Sequence, residues 1–336
     1  MRIISSSSYI PEEKISNEEI EKRLKLEKGY IEKRTGIKNR QYAKEPIEEM
    51  AKKTVEKLIE KTQIEKDKIG AIIVATTSTN KLMPGISNYI QKELKIPRCM
   101  CFDILAGCSG FVNAVDIAQM YLKNKKIKKA IVVGVDKLSE YVNKEDIGTA
   151  IILADGAGAT LLEEDGKEYY SNIESIEDPN EILKCTSNEK IKMEGLSIYK
   201  YAVTETVKNI KELLENSKEK MENIDYIVPH QSNLKIMLAI ENRLNIEPKK
   251  MYINIQNIGN TFCASIPIAL AEMEEKNLLQ KNKKIVIIGY GGRTKHRKCS
   301  ITHIGGSNGK EKSRRIQFWN IFNNLINNFS NSICSC

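Results

Sequence analysis

The sequence predicts an α/β protein built of two similar halves with helix-covered sheets. Two observations carry that class. Strand-like apolar runs alternate with segments of helical period along nearly the whole chain. Two long stretches, DILAGCSGFVNAVDIAQMYLKNKKIKKAIVVGVD (103–136) and NIGNTFCASIPIALAEMEEKNLLQKNKKIVIIGYGG (257–292), also repeat one scheme: turn, apolar helix, basic linker, β-branched strand, glycine-bearing turn. A duplicated unit of this kind packs its halves together and places a site between them at strand ends.

The elements follow in order. RIISSSSYI (2–10) reads as the first strand. ISNEEIEKRLK (15–25) puts Glu19 three residues after Ser16, the spacing of a capping box, and predicts a short helix. IEEMAKKTVEKLIEKT (47–62) has apolar residues at helical spacing. KIGAIIVATTS (68–78) is a β-branched run closed by polar residues, a buried strand. A short helix (86–94), the strand CMCFDILA (99–106), a helix (109–125) and the strand KKAIVVGVD (128–136) come next. TAIILADGAGATLLEE (149–164) reads as two strands around a glycine-rich turn. In the second half a long helix (196–217) leads to the strand MENIDYIVPH (221–230). A helix (234–245), the strand MYINIQNIGN (251–260), a helix (263–279) and the strand KKIVIIGYGG (283–292) complete the pattern.

Composition narrows the class. The 336 residues suffice for a real core and are 41% hydrophobic and 29% charged, as in soluble globular proteins. No apolar run approaches the length of a membrane span, and the N-terminus has no signal core, so a cytoplasmic location is expected. The eight cysteines form no CxxC pair and no regular framework. CMC at 99–101 reads as strand rather than metal site. The formal charge of +9 suggests nucleic acid, but its distribution does not. After Gly292 eight Lys and Arg face the single acid Glu311, a net +7 that leaves +2 for residues 1–292. DGAGA (155–159) lacks the ending of a phosphate-binding loop and reads as a structural turn.

Three residues at strand ends could do chemistry. Cys108 stands between two glycines where a strand meets a helix. There it is either a packing residue or a nucleophile whose thiolate the helix N-terminus favours, with a lowered pKa. His230 follows an apolar strand and a proline; Asn260 stands in IGNT at another strand end. Each has a plain loop reading. Together they are a thiol that attacks a carbonyl and two donors to a developing oxyanion.

These pieces resemble the β-ketoacyl-acyl-carrier-protein synthase III family. The likeness lies in IEKRTGIKNR (31–40), GAIIVATTS (70–78), FDILAGCSGF (102–111), LADGAGATLL (153–162), YIVPHQSNLKI (226–236) and NIGNTFCASIPIAL (257–270). It implies a thiolase-like fold, two pseudo-symmetric halves in a five-layered αβαβα sandwich. Its boundaries would be 1–168 for the half with the nucleophile, 169–304 for the half with His and Asn, and 305–336 for a basic, Asn-rich tail. The resemblance implies a decarboxylative Claisen condensation of an acyl-CoA starter with malonyl-acyl carrier protein, which begins fatty-acid synthesis and uses no metal or organic cofactor. Cys108 would be acylated, with His230 and Asn260 binding the thioester oxygen. The N–H groups of Cys108 and Gly292 would form an oxyanion hole. Tyr30, Arg34, Gly195, Tyr199 and Asn233 would bind CoA and its pantetheine arm. Lys235 would meet the acidic carrier protein, and Met83 would reach the acyl pocket of a partner in a homodimer.

The chain departs from that pattern in three places. Tyr30 stands where the family commonly has Trp. Ile147 stands where it commonly has the arginine that completes the adenine clamp, which leaves open a donor delivered on a carrier protein and a paralogue of specialised metabolism. The final glycine-rich loop reads GYGGRTKHRK, with Arg293, Lys295, Arg297 and Lys298 in a segment that should line the site. The tail beyond it reads as a disordered extension, as an amphipathic partner or membrane-surface helix, or as the product of a displaced reading frame. A catalytically impaired interaction protein is the reading from another class.

Overall fold

The structure is a computed structural model that describes residues 1–176, 180–186, 189–291 and 295–304, with residues 176 and 295–304 described through their backbone alone. The first half runs β1 (Arg2–Tyr9), β2 (Glu13–Ser16), α1 (Asn17–Arg23), α2 (Tyr30–Thr35), β3 (Asn39–Tyr42), α3 (Ile47–Thr62), β4 (Ala71–Ala75), α4 (Ile86–Glu93), β5 (Met100–Ile104), α5 (Gly110–Lys123), β6 (Lys129–Asp136), α6 (Ile147–Ala150) and β7 (Gly156–Glu163). The second runs β8 (Tyr170–Ile176), β9 (Leu183–Lys184), β10 (Lys192–Met193), α7 (Gly195–Ser217), β11 (Tyr226–Pro229), α8 (Leu234–Leu244), α9 (Ile255–Ile258), α10 (Ser265–Glu275), β12 (Lys284–Gly291) and β13 (Lys295–Ile304).

The duplication read from the sequence is visible in the sheet. In the first half the strands lie in the order β5-β4-β6-β7-β1. The β5–β4 and β4–β6 pairs are parallel, and the β6–β7 and β7–β1 pairs antiparallel. In the second half the order is β11-β12-β13-β8, parallel for the first pair and antiparallel for the other two. Its missing edge strand survives as one parallel bridge between Ile227 and Met251. The halves meet where β1 pairs in parallel with β13 at Arg2↔His303 and Ile3↔Ile304.

Three apolar clusters define the layers. In the middle, Phe111, Val115 and Ala118 of α5 and Ile266, Ala269 and Met273 of α10 pack between Ile73 and Val132 on one sheet and Val228 and Ile287 on the other. Outside the first sheet, α3 buries Ile47, Met50, Val55 and Leu58 beside Ile86 and Ile90 of α4. Beyond the second, α7 and α8 bury Ile210, Leu213, Met237 and Ile240. Each fully buried branched side chain contributes about 1.5–3 kcal/mol. The result is helix, sheet, helix, sheet, helix.

Two glycines let the halves close. A Cβ on Gly134 of β6 would lie 2.1 Å from the Cys263 carbonyl oxygen, so the turn before α10 crosses directly over that strand. A Cβ on Gly289 of β12 would lie 2.8 Å from the Ser109 Cα, so the turn before α5 crosses the other sheet in the same way.

Several helices match the sequence reading: α3 spans the predicted segment, and Ser16 caps α1 by accepting the Glu19 N–H at 3.2 Å. Two segments differ. TAIILADGAGATLLEE is not two strands about a turn: Ile147–Ala150 is helical and DGAGA runs into β7. Gly158 lies inside that strand because the start of α10 leaves a Cβ only 2.8 Å from Pro267 and Ile268. MYINIQNIGN is not a strand beyond isolated bridges at its two ends, Met251 to Ile227 and Asn260 to Leu153, for Asn254 and Gly259 bound the short helix α9. The small β2–β3 pair, α2 and β8 were not anticipated from the apolar pattern; they are short or polar. The strand β13 follows the altered loop. The expected burial of Arg293, Lys295, Arg297 and Lys298, and the tail 305–336, lie outside the described side chains and residues.

Candidate active site

The duplicated turns bring the candidate residues together. Cys108 sits in the helical turn Gly107–Ser109 that leads into α5, and Asn260 precedes the equivalent turn Phe262–Ala264 that leads into α10. Both side chains are buried. Gly291, at the end of β12, lies against the thiol: a Cβ there would be 3.2 Å from the Cys108 Sγ. The preceding Tyr290 meets the His230 ring edge-on, centroids 5.3 Å apart. Its hydroxyl donates to the His230 carbonyl at 3.0 Å and shares a 2.8 Å hydrogen bond with Ser232. Cys108 also lines an apolar cavity of about 350 Å³ with Leu105, Leu138, Tyr141, Ile191 and Phe262.

The partners of His230 and Asn260 fix what each can offer. Ser265 opens α10, and its Oγ lies 2.7 Å from His230 Nδ1. That hydroxyl also accepts the Gln231 N–H at 3.4 Å, and because a serine oxygen can accept twice, either tautomer satisfies the pair; in the tautomer that serves donation to a substrate, Ser265 gives its proton to Nδ1. Nε2 then carries the imidazole proton. Burial lowers the His230 pKa to about 3, so the ring is neutral. Asn260 Oδ1 accepts the Phe262 N–H at 3.1 Å, which leaves its NH2 as donor.

One expectation is overturned. The helix N-terminus was expected to lower the Cys108 pKa; instead burial pushes the thiol up, helped by the Asp136 charge. The backbone N–H works in the expected direction and is outweighed. Asp136 itself was not anticipated. It is buried at the end of β6, where its carboxylate accepts from Thr77 N at 2.7 Å, Ser78 Oγ at 2.9 Å and Cys263 N at 2.9 Å. Burial raises its pKa against those hydrogen bonds. A charged residue ending the run AIVVGVD was the available signal. Ser265 was also missed, and its place at a helix start gave little sign of a partner in His230.

None of the residues expected to bind CoA, pantetheine or the carrier protein lines the Cys108 cavity. The Arg34 guanidinium lies over the Tyr30 ring, 5.1 Å from its centroid. Gly36 ends α2 against Leu234, where a Cβ would be 2.5 Å away, so α2 docks on α8. Asn233 is the N-cap of α8, its Oδ1 accepting the Lys235 N–H at 2.9 Å, and Lys235 is exposed in the first turn. Gly195 begins α7 and Tyr199 lies one turn further along it, while Ile147 begins α6 and is 40% exposed. Met83 does not line its own chain's cavity and is 82% exposed. Gly292 lies outside the described residues. Cys99 and Cys101 flank Met100 with their sulfurs 3.5 Å apart, and no cluster of three metal-ligating side chains occurs among the described residues.

A duplicated sheet, two turns crossing between its halves, and a cysteine, a histidine and an asparagine buried at the strand end and turns of that crossing are the architecture of a thiolase-like condensing enzyme. Comparison with known proteins narrows this. Family models for 3-oxoacyl-[acyl-carrier-protein] synthase III match residues 102–177 and, for its C-terminal part, 214–295. The β-ketoacyl-[acyl-carrier-protein] synthase III of Clostridium novyi is 35% identical over 87% of this chain and 95% of its own. The crystal structure of the 3-oxoacyl-[acyl-carrier-protein] synthase III of Aquifex aeolicus superposes with a TM-score of 0.86 at 32% identity, covering 90% of this chain and 99% of that one. That of Thermus thermophilus gives 0.86 at 26% identity, covering 91% and 100%. The chain belongs to the β-ketoacyl-acyl-carrier-protein synthase III family of condensing acyltransferases.

Proposed function

We propose that the protein condenses an acyl-CoA starter with malonyl-acyl carrier protein through an acyl-Cys108 intermediate, yielding β-ketoacyl-acyl carrier protein. The observation that carries this reading is the disposition of donors. A buried thiol ends an apolar cavity, and His230 and Asn260 are each held by a neighbour that leaves an N–H free.

The chemistry divides into two transfers. Cys108 starts as a neutral thiol, because burial and Asp136 disfavour its thiolate. Its sulfur attacks the acyl thioester; the acyl–sulfur bond to CoA breaks, and the thiol proton ends on the departing CoA. The N–H of Cys108 stabilises the tetrahedral oxyanion, with the Gly292 N–H as the second donor that the family resemblance implies. Malonyl-acyl carrier protein then enters. Its carboxylate leaves as CO2, and the bonding pair moves into the thioester enolate. His230 Nε2–H and the Asn260 NH2 donate to that enolate oxygen. The enolate carbon attacks the acyl carbonyl, and Cys108 leaves as thiolate and takes up a proton. A neutral imidazole suits this step, because it donates without adding a charge that the buried site must solvate.

The chemistry of the outer residues supports the remaining assignments. Tyr30 and Arg34 offer stacking and charge to the CoA nucleotide, Gly195, Tyr199 and Asn233 a wall for pantetheine, and Lys235 a cation for the acidic carrier protein. The exposed, apolar Ile147 favours, as a second reading, a donor delivered on a carrier protein. Leu82 and Met83, 93% and 82% exposed, support a homodimer in which this loop is covered by a second copy. No metal or organic cofactor enters any step. The cytoplasm, where thiols stay reduced, suits a chain in which Cys99, Cys101, Cys108 and Cys263 are thiols.

Release of CO2 from carboxyl-labelled malonyl-acyl carrier protein tests the donor roles. His230→Ala and Asn260→Ala should each lower it at least about a hundredfold while Cys108 remains acylable. Unchanged release in both variants would contradict the assignment.

A further inference from the structure

Cys263 is a buried thiol that the reaction above does not use. Under the internal duplication it is the counterpart of Cys108: Gly107–Ser109 precedes α5 as Phe262–Ala264 precedes α10. Its environment is unlike that of a packing cysteine. The Cys263 Sγ donates to the Gly107 carbonyl at 3.0 Å. It also occupies the space over Gly110, where a Cβ would lie 3.0 Å from the sulfur. The side chain therefore touches the nucleophile turn on both sides of Cys108. Its backbone N–H donates to Asp136 Oδ2 at 2.9 Å. The other oxygen of that carboxylate holds Thr77 and Ser78, at the end of the neighbouring strand β4. On its own turn Cys263 follows Asn260 by three residues, and Asn260 is bound to the intervening Phe262 N–H.

We propose that Cys263 is a positioning residue for the condensation step. Its thiol and N–H lock the turn that carries Asn260 against the turn that carries Cys108, so the acyl carbonyl and the donors to the incoming thioester keep one spacing. Acylation needs only the nucleophile turn. Condensation needs both turns in register, and a small misplacement between reacting groups is costly. A buried S–H to a carbonyl is a weak donor bond, but Cys263 is 1% exposed, which shields the bond from bulk solvent. The inference rests on the acyl-Cys108 reading of the preceding section.

Single-turnover kinetics separate the two steps. Purified full-length protein is acylated with acyl-CoA, and the acyl-enzyme is then mixed with malonyl-acyl carrier protein. Cys263→Ala should acylate within about twofold of the parent rate and condense about tenfold more slowly. Cys263→Ser restores a donor to the Gly107 carbonyl and should recover condensation to within about threefold. Cys263→Val fills the space without a donor; it should behave like the alanine variant, and it replaces that variant should alanine fail to fold. Equal slowing of both steps, no slowing of either, or a serine variant no better than valine would overturn the proposal. Failure of the parent protein itself to acylate on Cys108 would instead overturn the function on which it rests.

Discussion

At the scale of single residues, burial decides protonation against the simpler expectation from the helix terminus. Cys108 is a thiol and His230 a neutral imidazole in the resting site, and both follow from desolvation. Alkylation of Cys108 by iodoacetamide in the free protein should therefore rise steadily from about pH 7 to about pH 10, without the plateau of a thiolate formed near neutrality. Malonyl decarboxylation should show no His230 limb between about pH 5.5 and about pH 7.5, since the imidazole gains its proton only near 3. The stability that follows from a depressed imidazole pKa has the matching sign. It is complete above the usual histidine value and is lost as pH falls toward 3. A thiolate plateau in the alkylation profile would refute the resting-state assignment. Cys108 and His230 stood out because each follows an apolar strand, whereas Asn260 follows the short helix α9 and not the strand the sequence suggested. Ser265 and Asp136 were not assigned because their roles depend on contacts 35 and 127 residues away along the chain.

At the scale of elements, local signals served best where they were self-contained. The Ser16 cap is one such case; Ser16→Ala should cost about 1 kcal/mol, read as a lower denaturation midpoint with unchanged acylation. α3 was legible for the same reason, since its buried face is written at helical spacing. The glycine-bearing segment of β7 and the stretch after Met251 were misread because tertiary contacts override their local chemistry. Gly158 looks like turn chemistry in the sequence and is a strand residue under α10. Gly134 makes the same argument quantitatively. A Cβ 2.1 Å from the Cys263 carbonyl cannot be accommodated by rotating a side chain, because the obstacle is backbone. Gly134→Ala should destabilise the fold by about 3 kcal/mol, whereas alanine at Gly166, where nothing lies within reach of a Cβ, should have much less effect despite its positive φ.

At the scale of the whole molecule, the two halves are repeats in topology and not independent in packing. The central helices α5 and α10 share one cluster that draws side chains from both sheets. A fragment of residues 1–168 should thus expose that layer and fail to give a cooperative thermal transition, while co-expression with 169–336 should restore one. A cooperative transition in the lone fragment would show the halves to be true domains. The same interleaving joins the nucleophile turn of one half to the donor turn of the other, so the reaction needs the closed pair. The duplicated scheme was legible in residues 103–136 and 257–292. The crossing of the turns was not, because it depends on glycines buried within strands. The most direct test of the account is intact mass after incubation with acyl-CoA donors of increasing length, with Cys108→Ala alongside. The account predicts one acyl adduct on the parent protein and none on the variant. An adduct that persists in Cys108→Ala, or no adduct from any acyl-CoA or acyl carrier protein, would contradict it.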